Sequence, residues 1–164
     1  MAALGEHWPV YAAYLLSFVN VFMMWVAHHD IVASIRTVNY PMLFANGALL
    51  FFMSLVPFAL AFASETHWTE AIPVALYGVV MLAASGGFAW LRLAAGSHSR
   101  DPADLAHQRV QAITTLVLGC VFLVGSAAAF YEPRAALVLY AAVPLFRIGQ
   151  LFARGRARSE AHVR

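Results

Sequence analysis

Charge is what this chain has least of. Only 11% of its 164 residues are Asp, Glu, Lys or Arg, against about a quarter in an average soluble domain. Lysine is absent, so all ten basic residues are arginine. The single cysteine, Cys120, has no internal disulfide partner, and its place in an apolar run reads as that of a small buried hydrophobe. No Cys-x-x-Cys or His-Glu-x-x-His spacing occurs, which removes the common zinc motifs. No pair of carboxylates falls inside an apolar run, and no serine stands in a Ser-His-Asp pattern. A carboxylate-based ion pump and a serine hydrolase thus lose their usual basis, and no enzyme is expected. The residues before the first apolar run, Glu6 and His7 among them, form no basic region, so a signal peptide is not expected. A net charge of +2, gathered mostly in one tail, is a topology signal and not a footprint for nucleic acid.

What the chain has instead is hydrocarbon: 62% of its residues are apolar. Five runs are long enough to cross about 30 Å of bilayer. They cover approximately 8–28 (its helix continuing toward Ile35), 41–62, 71–93, 110–130 and 134–152. They are apolar all round and lack the strand alternation of a membrane barrel, so the expected fold is all-α, a polytopic bundle of five transmembrane helices. Residues 1–164 form one integral membrane domain, and 153–164 form a basic cytoplasmic tail. Pro41 suits the first turn of the second helix, and Asp101-Pro102 with Asp104 supplies N-cap chemistry for the fourth. Arg36, Arg92, Arg100, Arg109 and the arginines of the tail fall on one side, and Glu6, Glu65, Glu70 and Glu132 with Arg134 on the other. Arginine-rich ends belong in the cytoplasm, which puts the C-terminus inside and the N-terminus outside.

The first helix carries the most chemistry. Residues turn by about 100° each along a helix, so Ser17, Asn20, Met24 and His28 share one face, and Tyr14, Phe18, Phe22, Trp25 and His29 share the next. A span that only had to be greasy would need no Ser, Asn or His; such groups turn toward protein or water. His28 and His29 are neighbours and point apart, so together they cannot chelate one metal. The plainer reading is a pair of histidines near a helix C-terminus, where the dipole favours a cation. In the second helix Asn39, Asn46, Met53 and Pro57 lie on one stripe and read as a packing seam, with Asn46 as interhelical glue. Gly86-Gly87 allows close helix approach, and Arg147 is placed to snorkel to the interface.

Tyr14-Leu-Leu-Ser-Phe18 followed by Trp25-Val-Ala-His28-His29 resembles the second helix of the endolysosomal potassium channel family known as transmembrane protein 175, especially its bacterial members. Asn46 with Ser54-Leu-Val-Pro-Phe58 is similar to that family's third helix, and Leu76-Tyr77 with Trp90 to its fourth. Pro133, Ala136-Leu-Val-Leu-Tyr140 and Pro144 are similar to its sixth. The resemblance implies a subunit of a non-voltage-gated, potassium-selective leak channel, a homotetramer in the bacterial inner membrane whose partners are potassium ions and the lipid bilayer. It implies no cofactor. In the family, a first helix bearing an Arg and then Phe-Ser-Asp lines the pore, whereas this sequence contains no Phe-Ser-Asp. It corresponds to helices two to six, and the expectation is a subunit recorded without its pore helix. The carried-over role is a polar support network of Ser17, Asn20, Trp25, His28, His29 and Asn46, with no ion-filter residue assigned. Two other classes stand beside it: a non-conducting membrane scaffold or accessory protein, and a haem- or metal-binding membrane protein using His28 or His29. With no pore helix against it, the stripe of Ser17, Asn20 and His28 is expected to turn toward another subunit, water or a neighbouring span. The first helix is then the least tightly packed.

Overall fold

The computed structural model describes residues 8–35, 37–97 and 101–163, and side chains between Tyr11 and Gln150 except at 12–13, 16–17, 34, 36 and 98–100. Five helices follow one another: α1 Trp8–Ser34, α2 Tyr40–Glu65, α3 Ala71–Gly96, α4 Pro102–Ala128 and α5 Pro133–Val163. There is no strand among the described residues. The protein is an all-α membrane helix bundle, and α2, α3 and α4 are each long and apolar enough to cross a bilayer. In α1 the apolar stretch among the described residues is the shorter Phe18–Ala33.

Local chemistry sets the helix ends. Asn39 caps α2: its side-chain oxygen accepts from the Met42 N–H at 2.9 Å, with Pro41 in the first turn. Asp101 does the same for α4, accepting from the Ala103 N–H at 2.9 Å ahead of Pro102. Each cap satisfies one of the four N–H groups a helix start leaves unpaired. Asn39 therefore belongs to the cap and not to a seam running down α2, while Met53 of the same stripe is buried. Between α2 and α3 the chain turns through His67 and Trp68, both with positive φ (51° and 62°). There the Trp68 N–H reaches back to the Ala63 carbonyl at 3.2 Å. In α5 the helical backbone continues to Val163, so the basic segment 153–163 extends the helix instead of departing from it.

The central element is α3, packed along α2 on one side and α4 on the other, with shorter contacts to α5 and α1. Close approach to α2 depends on Gly87: a Cβ there would lie 2.9 Å from the Leu49 Cα, tighter than atoms pack. One core cluster joins α2 to α5 through Val56, Leu60, Val74, Tyr77, Phe122 and Tyr140. A second, smaller one ties α1 to α2 and α3 through Ile31, Leu49, Met53, Phe88 and Leu91. Within α1, among the described residues, only Asn20 and Ile31 are buried, so α1 lies at an edge of the bundle, as α5 does. Cys120 of α4, expected to be buried in its apolar run, is instead exposed on the outer face of the helix.

Candidate functional site

The polar face of α1 turns toward neighbouring helices. Asn20 is 4% exposed and its Nδ2 donates to the Tyr77 hydroxyl of α3 at 3.2 Å. Two turns on, the His28 Nε2–H donates to the Asn46 side-chain oxygen of α2 at 2.6 Å. The residue between them, Met24, is half-buried against both core clusters. Ser17 lies within α1, but its side chain falls outside the described residues. The two histidines diverge as their neighbouring positions require. His29 is exposed and stacks on Trp25, with ring centroids 5.6 Å apart. Trp25 in turn stacks on Phe22 at 6.4 Å, and Phe22 on Phe18 at 6.2 Å. The structure thus brings His28 and Asn46 together, gives Asn20 a partner on α3, and places Trp25 and His29 on an outward aromatic ladder.

Tyr77 leads into a hub that sequence reasoning missed. Its ring meets Tyr140 of α5 edge-on, with centroids 5.2 Å apart. The Tyr140 hydroxyl donates to the Val74 carbonyl at 3.2 Å and lies 3.3 Å from the Ser126 hydroxyl. Ser126 reaches the Phe122 carbonyl of its own helix at 2.9 Å and the Ala75 carbonyl of α3 at 3.1 Å. Gly78 leaves the room: a Cβ added there would run into both the Ser126 and the Tyr140 hydroxyls.

A cleft of about 140 Å³ opens between α1, α3, α4 and α5. Its lower part is lined by Asn20, Met24, Leu118, Phe122 and Val143, and its upper part by Asp30, Arg92, Gln111, Thr115, Arg147 and Gln150. The Arg147 guanidinium does not snorkel away: half-buried, it donates to Thr115 Oγ1 of α4 at 2.9 Å. Arg92 donates to Gln108 Oε1 at 3.3 Å. A sequence signal for the cleft existed in Asp30 and Arg147, two charges within or beside apolar runs. Their meeting place depended on which helices are neighbours. Among the described residues no three His, Cys, Asp or Glu side chains converge to hold a metal ion.

These features define an integral membrane helix bundle with a polar interior, and comparison with known proteins shows what it is similar to. Residues 1–57 match the family model described as endosomal/lysosomal potassium channel TMEM175. A potassium channel of Streptomyces collinus is 33% identical over 105 residues, covering 61% of this chain and 51% of the relative. A potassium channel of a Chryseobacterium species is 26% identical over 147 residues, covering 88% of this chain and 74% of the relative. The bovine endosomal/lysosomal proton channel TMEM175 is 41% identical over 59 residues, which cover 36% of this chain and 12% of the bovine protein. No solved structure matches. The first third of the chain is thus similar to the TMEM175 family, and the relatives it matches are named as channels and not as enzymes. The chain spans about half the length of the Streptomyces relative it matches.

Proposed function

We propose that the chain is a subunit of a potassium-selective leak channel, homotetrameric, in the inner membrane of a bacterium, with α1 as the helix that supports the ion path. The observation that carries this is the family match over residues 1–57, the segment that contains the whole α1 stripe and its partner Asn46. A polar stripe on an edge helix, held at Asn20 and His28 by two interhelical hydrogen bonds, is a fixed platform for a pore-lining segment. Its proposed members are Ser17, Asn20, Trp25, His28, His29 and Asn46. The arginine-rich helix ends face the cytoplasm, which puts the end of α5 inside and the start of α1 outside.

The test is ion flux from potassium-loaded liposomes containing the purified protein, expressed from its own locus with the upstream reading frame kept. Potassium efflux well above sodium efflux, with no dependence on voltage, is expected. No flux of any cation would leave the non-conducting scaffold as the better reading. The name of the bovine relative makes proton flux the second reading, and a pH-sensitive dye inside the same vesicles separates the two. Mass determination in detergent, expected at four subunits, tests the assembly.

A further inference from the structure

We propose that the cleft between α1, α3, α4 and α5 binds one anionic phospholipid, with its phosphodiester at the arginine end and one acyl chain along the apolar part. Three observations carry this. The first is charge. Arg92 and Arg147 line the upper part together with a single carboxylate, Asp30, so the ionisable groups there sum to one positive charge. A phosphodiester carries one negative charge, and guanidinium groups match phosphate oxygens in charge and in hydrogen-bond geometry. Thr115, Gln111 and Gln150 add neutral polar groups around the same end.

The second is length and chemistry along the axis. The α1 wall runs from Asn20 to Asp30, a rise of about 15 Å at 1.5 Å per residue. That is about half the hydrocarbon thickness of a bilayer, hence one leaflet. Below the charged end the wall is Met24, Leu118, Phe122 and Val143, with Asn20 at its foot turned to the Tyr77 hydroxyl, which suits an acyl chain and offers a free anion no cation. The third is access. α1 and α5 form the two flanks of the cleft, and among the described residues they build no substantial interface with each other, so the cleft opens sideways between them. A basic pocket between membrane helices at the arginine-rich side is where anionic headgroups bind.

The experiment is native mass spectrometry of the purified full chain, titrated separately with phosphatidylglycerol, phosphatidylcholine and glycerol phosphate. Phosphatidylglycerol is expected to bind about tenfold more tightly than phosphatidylcholine, whose choline cancels the phosphate charge. Arg147→Gln is expected to remove that preference and leave phosphatidylcholine unchanged. Equal binding of both lipids, or an unchanged preference in Arg147→Gln, overturns the proposal. Glycerol phosphate displacing phosphatidylglycerol at equal concentration also overturns it, because the acyl chain would then contribute nothing. Should Arg147→Gln fail to fold, the unmodified protein is photolabelled with phosphatidylglycerol carrying a diazirine in its acyl chain. Labels concentrated around Met24 and Leu118–Phe122 support the site, and labels spread over the outer surface of the bundle refute it. None of these readouts requires ion flux, so failure here leaves the channel proposal standing, and the converse holds.

Discussion

His28 and Asn46 sit 2.6 Å apart across the α1–α2 contact, and the value of that bond is set by its surroundings. In a bilayer an interhelical hydrogen bond contributes on average about 0.6 kcal/mol and at most about 1.7, because the unfolded chain also finds partners there. A double-mutant cycle with His28→Ala and Asn46→Ala, read by unfolding in mixed micelles, should return a coupling in that range, and additive losses would show the contact is not made. The Tyr140 hub responds differently. Tyr140→Phe removes one hydroxyl while Ser126 keeps the Ala75 and Phe122 carbonyls, a loss of about 1 kcal/mol. Gly78→Ala drives a methyl into both hydroxyls and should cost more, about 1–3 kcal/mol, because overpacking shifts two helices and not one bond. The reverse order in thermal unfolding would mean that the hydrogen bonds, and not the close approach, hold α3 to α4 and α5. At this scale the sequence was only half legible. Spacing alone puts Asn20 and His28 on one face, but Asn20 finds its partner 57 residues away, on a helix that no local rule selects. Arg147 was misread for a related reason. Its distance from the end of an apolar run pointed to the interface, whereas α5 runs on to Val163 and Thr115 stands opposite the guanidinium.

Helix ends were far more legible, because capping is chemistry between near neighbours. Pro41, and Asp101 followed by Pro102, mark the starts of α2 and α4 in the sequence, and the structure adds Asn39 as the residue that accepts from Met42. Losing a side-chain cap costs about 1 kcal/mol. Asn39→Ala should therefore lower the unfolding free energy by about that much and Asn39→Asp by much less, since aspartate caps equally well. A loss of similar size in Asn39→Asp would point to a role for the amide beyond the cap. The contact between α2 and α3 is equally element-specific. Gly87 lies against the Leu49 backbone while a Cβ at Gly86 would meet nothing within 4 Å, so Gly87→Ala should destabilise and Gly86→Ala should not. The pair of glycines was visible in the sequence. Which one faces α2 was not, because that depends on how α3 rotates to bury Tyr77 and Phe88.

Seen whole, the molecule alternates its direction as the arginine distribution requires. The end of α1 meets the start of α2 through His28 and Asn46, and the end of α3 meets the start of α4 through Arg92 and Gln108. At the opposite end Ser126, near the close of α4, and Tyr140, near the opening of α5, both reach carbonyls in the first turns of α3. Arg92 and Arg109 thus lie at one end of the bundle, and Glu65, Glu70 and Glu132, with Arg134, at the other. Charge asymmetry of this kind orients membrane proteins during insertion, since arginine resists translocation more than glutamate does. The expected arrangement has the α2–α3 turn outside and the start of α4 in the cytoplasm. Cysteine labelling in intact cells checks it. In a Cys120→Ala background, Thr69→Cys in the α2–α3 turn should react with a membrane-impermeant maleimide added from outside. Ala103→Cys in the first turn of α4 should react only after the cells are lysed. Both positions are exposed, so a lack of reaction reports the membrane and not burial. Labelling of Ala103→Cys in intact cells, with Thr69→Cys protected, would reverse the orientation. It would also place the arginine end of the cleft, and any lipid bound there, in the outer leaflet.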